Sequence, residues 1–151
     1  MSIIISDSIG NCWINCIKKV IEEGTAGYDE DIKIKEYLGI TIKISDPKPD
    51  DEIINKYADK KILSHTLEKF EKGVVMNDRP FTYGELIYSK NGVNQYEWLV
   101  ERLKNKRETK SATICLLETG STCPNQPCLT TIDAKIREEK LVLQIQKLCR
   151  D

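Results

Sequence analysis

Cys128 is the residue in this chain best placed to do chemistry. It follows Pro127 in "QPCLTTIDAKI", where the chain enters an alternating apolar and polar run. A cysteine nucleophile needs partial exposure and a nearby cation to favour the thiolate. Pro127 removes a backbone donor and biases Gln126 toward an extended shape, which stiffens the chain where the thiol projects. A buried strand thiol and a nucleophile at a strand entrance both fit this pattern. The other cysteines are Cys12, Cys16, Cys115, Cys123 and Cys149. Cys12 and Cys16 lie four apart, and four residues separate Cys123 from Cys128, so neither pair has the C-x2-C spacing of a zinc knuckle. His65 is the single histidine, and in its charged segment it reads as a surface residue. We expect six thiols and no metal.

The overall charge limits the partners. With 23 basic and 24 acidic residues the net charge is -1, so there is no global basic field to attract nucleic acid. The sequence contains neither a glycine-rich phosphate loop nor a dinucleotide fingerprint. No stretch reaches the roughly 18 apolar residues of a membrane span, and the start "MSIIISDSIGNCW" has no basic leader region. These features predict a cytoplasmic protein without membrane contact. A length of 151 residues, with no repeat and no composition break, predicts one domain over residues 1–151.

The elements that position Cys128 follow from periodicity. Trp13, Cys16, Ile17, Val20 and Ile21 recur at helical spacing, which predicts a helix over Ile9 to Glu23 with that face inward and Gly24 at its end. In "IKIKEYLGITIKI" the isoleucines alternate with polar residues around Gly39, predicting two short strands or one bulged strand. Pro47 and Pro49 followed by acidic residues predict a helix near Asp50 to Ala58, whereas residues 60–72 fit either a helix or an irregular connection. "GVNQYEWLVERLKN" is the clearest helix, capped by Asn94, with Tyr96, Leu99, Val100 and Leu103 inward and Trp98 off that stripe. The strand "SATICLLET" comes next, then "CLTTIDAKI" and "KLVLQIQKL", joined by a tight hairpin at Arg137 to Lys140. The whole reads as an α+β fold, with helices packed on a mixed, largely antiparallel sheet.

Three blocks of the chain resemble thymidylate synthase, particularly its shorter archaeal-type relatives. They are "KKVIEEGT", "YGELIYSKNGVNQYEWLVERLKNKRETKSA" and "QPCLTTIDAKIREEKLVLQIQKLCRD". The last is the most specific: the family places an Asp twenty-three residues after its nucleophilic cysteine, and Asp151 stands at that distance from Cys128. The resemblance implies that Cys128 is the catalytic nucleophile and that Tyr83 of "TYG" lines the site beside it. It also implies a pyrimidine deoxynucleotide as ligand, a homodimer, and methylenetetrahydrofolate as one-carbon donor. In the implied reaction the thiolate attacks C6 of deoxyuridylate, C5 becomes nucleophilic, and C5 is methylated. A deoxycytidylate hydroxymethylase begins with the same attack and ends with water in place of hydride.

The chain departs from the family where the substrate phosphate is held. The family's paired arginines ahead of the first catalytic strand correspond to Lys110 and Ser111. The arginine of its Arg-Ser-x-Asp motif corresponds to Leu148, and an early phosphate arginine corresponds to Glu30. Lys110, Arg150 and Lys147 are the substitutes by charge, and Asp151 matches a position that contacts the nucleotide region. Glu52 is the candidate for the family's catalytic glutamate; its other reading is an acidic residue in the first turn of a helix. The family's sequence also runs on beyond the position matched by Asp151. The alternative expectation is therefore a shortened, non-catalytic relative that binds a nucleotide or a partner. Apolar residues of both parities in Cys115 to Leu117 and Leu141 to Leu148 predict a sheet covered on both faces, the second by a partner subunit.

Overall fold

A computed structural model describes residues 2–29, 31–77, 80–118 and 126–148. The chain divides into two compact units, Met1–Ile62 and Leu63–Asp151.

The first unit begins with β1 (Ser2–Ser6) and α1 (Ile9–Glu23), followed by β2 (Thr25–Asp29), β3 (Ile32–Glu36), β4 (Ile40–Ile44) and α2 (Glu52–Tyr57). β2 and β3 form an antiparallel hairpin, while β1 pairs in parallel with β4, Ile4 facing Ile42. The break between β3 and β4 falls at Gly39, whose φ of +70° is a left-handed conformation that glycine adopts without a Cβ clash. The two strands predicted there exist, but each pairs elsewhere.

Ser8 caps α1, its hydroxyl accepting from the Asn11 N–H. Gly24 ends the helix in an extended conformation, φ -68° and ψ 150°, and not in a left-handed one. The inward face differs from the predicted stripe: Gly10 and Cys12 are buried, whereas Trp13, Ile17 and Ile21 stay exposed, Trp13 at 43%. Periodicity locates an apolar stripe but cannot say which edge of it meets the sheet. Asp51 caps α2 by accepting from the Ile53 and Ile54 N–H groups, and its other oxygen accepts from the Gly10 N–H at 2.8 Å. One carboxylate thus closes the starts of two helices.

α3 (Lys60–Glu68) carries the chain into the second unit, so the undecided segment is helical up to Glu68. Then come α4 (Tyr83–Tyr88), α5 (Gln95–Asn105), β5 (Thr113–Cys115), β6 (Leu129–Arg137) and β7 (Lys140–Lys147). β5, β6 and β7 make an antiparallel sheet in that order. Glu138 and Glu139 turn the β6–β7 hairpin with φ of 49° and 60°, the positive pair that a two-residue turn needs to match strand twist. α4 starts with a capping box between Thr82 and Glu85, and Asn94 caps α5 as predicted.

Two apolar clusters hold this unit. Ile87, Ile114 and Leu116 pack with Tyr83, Leu99 and Leu129, while Leu103, Ala112 and Ala134 pack with Leu99 and Ile136. Tyr96, expected inward, is exposed and meets Tyr88 edge to face. The α+β class holds, with the strands described in three small sheets instead of one. No helix among the described residues is long and apolar enough to cross a membrane.

Candidate functional site

Cys128 stands immediately before β6 and is half-buried, with Pro127 buried before it. The strand entrance is irregular. The β6–β7 register shifts between Leu129 and Thr131, a bulge that leaves Thr130 as the extra residue. Thr130 is buried, its hydroxyl donates to the Gln146 carbonyl at 3.1 Å, and its own carbonyl accepts from the Leu116 N–H at 2.8 Å. The Cys128 carbonyl accepts from the Leu148 N–H at 2.7 Å. Backbone at Cys128 and just after it is therefore tied into the sheet, which limits the directions in which the side chain can leave the strand.

The fold brings Tyr83 to this entrance. The Leu129 N–H, one residue past Cys128, donates to the Tyr83 hydroxyl at 3.4 Å. The Tyr83 ring stacks on Phe70, centroids 4.6 Å apart and planes 10° from parallel. Close backbone approach makes this possible: the Gly84 N–H donates to the Lys69 carbonyl at 2.8 Å, and a Cβ at Gly84 would overlap the Glu71 carbonyl oxygen. The glycine of "TYG" thus lets the turn that carries Phe70 sit against the first turn of α4.

A cation that sequence reasoning missed lies at the same end of β5. The Lys90 ammonium donates to the Cys115 carbonyl at 3.0 Å and the Leu117 carbonyl at 2.7 Å. The Gln95 side chain joins the Leu86 and Cys115 carbonyls and accepts from the Cys115 N–H. Both residues secure the strand end beside β6, and only its hydrogen-bond partners distinguish Lys90 from the chain's other lysines.

Lys110 lies elsewhere. It is exposed, two residues before Ala112, whose carbonyl accepts from the Ala134 N–H. Ala134 is six residues along β6 from Cys128, a distance of about 20 Å at strand rise. Around Lys110 the arginines gather: Arg102 donates to the Ser111 hydroxyl through Nε at 3.1 Å and through a terminal nitrogen at 2.6 Å. Arg137 donates to the Thr109 carbonyl, and Arg107 pairs with Glu139. A guanidinium from α5 consequently stands on Ser111.

The remaining candidates are dispersed. Glu52 is exposed in the first turn of α2, and His65 on α3 is exposed, with Nδ1 4.0 Å from a Glu68 oxygen. Glu30, Cys123, Cys149, Arg150 and Asp151 lie outside the described residues. The described cysteines, Cys12, Cys16, Cys115 and Cys128, are thiols.

Comparison with curated proteins finds relatives named as putative thymidylate synthases. The chain is similar to the "Putative thymidylate synthase" of Methanosarcina mazei, 28% identical over an alignment of 154 positions that covers 93% of this chain and 67% of the relative. It is 27% identical to the protein of the same name from Methanothermobacter marburgensis, over 89% of this chain and 68% of that relative. The namesake from Methanococcoides burtonii is likewise 27% identical, over 93% and 67%. The match therefore spans about two thirds of the relatives' length. No protein-family profile matches the chain.

Proposed function

We propose that this chain binds a pyrimidine deoxynucleotide and attacks its C6 with the Cys128 thiolate, the first step in methylating deoxyuridylate at C5. The observation that carries this reading is the contact between the Tyr83 hydroxyl and the Leu129 N–H, forty-six residues apart, which puts the two matched residues at one strand entrance. The flat Phe70–Tyr83 stack, whose Tyr83 hydroxyl meets the Leu129 N–H, suits a planar ring. Methylenetetrahydrofolate, when bound, would supply the one-carbon unit and the hydride. The chain's own contribution is to present the sulfur: the bulge and the bond from Leu148 hold the backbone of Cys128 while the thiol forms and later releases the C6 bond.

A second copy of the chain completes the reading. Every residue of β7 is exposed, including Leu141, Val142, Leu143 and Ile145, so both faces of this strand are open to a partner. Lys110 and Arg102 are too far along the sheet to serve the nucleotide on their own chain, and a partner brings such cations to it. The setting is the cytoplasm, where thiols remain reduced.

Ser111 and Leu148 at two positions of family arginines favour a second reading, a protein that binds the nucleotide without turnover. A charge-assisted hydrogen bond is worth about 1.5–3 kcal/mol, so losing two weakens binding on the order of a hundredfold or more. The test is to incubate the reduced chain with 5-fluorodeoxyuridylate and methylenetetrahydrofolate and to map adducts by mass spectrometry, with calorimetry of deoxyuridylate alongside. An adduct on Cys128, absent in Cys128→Ser, is the expected result. Binding without an adduct selects the second reading, and neither binding nor adduct overturns both. Arg102→Ala is expected to weaken nucleotide binding about tenfold.

A further inference from the structure

Cys12 and Cys16 play no part in the site just described, yet they form the closest pair of thiols among the described residues. They occupy successive turns of α1 at i and i+4, the spacing that puts two side chains over one spot on a helix face. Their sulfurs are 4.0 Å apart. Cys12 is buried at 4% exposure and Cys16 half-buried, so the pair is reached from the Cys16 side. α1 is held at its start by the Ser8 cap and by the Asp51 bond to the Gly10 N–H, which gives the pair a fixed platform.

We propose that Cys12 and Cys16 are a two-thiol binding site for a soft, thiophilic monovalent cation of the cuprous class. A disulfide bond needs sulfurs about 2.05 Å apart, and successive turns of a helix would have to be drawn together to supply it. Zinc is satisfied by four ligands, and no group of three or more His, Cys, Asp or Glu side chains able to hold a metal exists among the described residues. Hard cations such as magnesium and calcium call for oxygen ligands. Two thiolates alone suit a soft cation of low coordination number. Metal–sulfur bonds of about 2.3 Å that meet at an angle between tetrahedral and linear span a separation like the one seen here. In the binding step each thiol releases its proton to solvent and two sulfur–metal bonds form, leaving a bis-thiolate complex of charge -1 with no change of oxidation state. Burial first, then the neighbouring Cys12, pushes the Cys16 thiol up to about 11.

This inference stands apart from the nucleotide reading and is tested without it. The reduced full-length chain is titrated anaerobically with cuprous ion against bicinchoninate, in three forms. The wild type should take up at least one equivalent more than the double variant Cys12→Ser, Cys16→Ser. A variant with serine at Cys115, Cys123, Cys128 and Cys149 should still bind one equivalent, with two sulfur neighbours by X-ray absorption. Loading one equivalent onto that variant should slow maleimide labelling of Cys16 about tenfold, because a metal-bound sulfur no longer attacks. Labelling is read on a chain that keeps both residues, so a folding defect in the double variant cannot imitate the result. Equal uptake by wild type and double variant, or unchanged labelling of Cys16 under one equivalent, overturns the proposal.

Discussion

Gly10 and Gly84 do the same job in different units with different materials. Each lies in the first turn of a helix, α1 or α4, and each lets a neighbour approach so closely that an added Cβ would collide with it. At Gly10 the obstacles are side chains, the Asp51 carboxylate and Ile53; at Gly84 the obstacle is the backbone carbonyl of Glu71. The first unit thus joins two helices through an ionised group, supported by few buried apolar residues, chiefly Ile4 and Cys12. The second sets α4 against a backbone turn and an apolar core, and that rigid junction is the one that carries Tyr83 to Cys128. Geometry that must be held to fractions of an ångström rests on backbone and packing, while the titratable clamp lies in the unit without the candidate nucleophile.

The largest test of this contrast is Leu116→Ala. Leu116 is 1% exposed beneath the strand entrance, and its truncation should cost about 2–5 kcal/mol by denaturant titration. A loss below about 1 kcal/mol would show that the second unit does not depend on its core as argued. Next come the glycines. Gly84→Ala should cost about 1–3 kcal/mol, because a backbone obstacle cannot swing aside, and Gly10→Ala should cost a similar amount, because the Ile53 Cβ is set by its backbone and turning Asp51 away gives up its bond to the Gly10 N–H. A loss below about 0.5 kcal/mol at either glycine would show that its junction is not packed as closely as argued.

A smaller effect separates the units by pH. The Gly10 N–H, the leading cause, holds the Asp51 carboxyl below its ordinary value of 3.8. A carboxyl depressed in the folded state contributes stability that is fully present above its unfolded value and is lost as pH falls through the folded one. Protection of the Gly10 amide, measured against its intrinsic exchange rate, should therefore fall below about pH 4, and Asp51→Asn should remove that dependence. If wild type and Asp51→Asn respond identically to acid, the clamp is not electrostatic. The smallest effect on single-chain stability is Leu143→Ser, within about 0.5 kcal/mol because the side chain is exposed. The same change should abolish self-association in sedimentation if β7 meets a second copy, and a monomeric wild type at micromolar concentration would end that proposal.

Elements whose signals are local were legible from residue types and spacing alone. α1 runs from Ile9 to Glu23 and α5 begins behind Asn94, as helical spacing and a capping side chain require, since both act within one or two turns. The β6–β7 hairpin was legible in two alternating runs, because period and turn length fix such a pairing. Tertiary structure decided the rest. Nothing local announces that β1 pairs in parallel with β4 across a helix and a hairpin, or that Trp13 stays exposed while Cys12 is buried. The bulge at Thr130, the Lys90 ammonium on two strand carbonyls and the Tyr83 hydroxyl beside Leu129 also depend on partners far along the chain. A period tells a residue which neighbours share its face, but only packing chooses which face is covered, and a site assembled from distant residues exists only once that choice has been made.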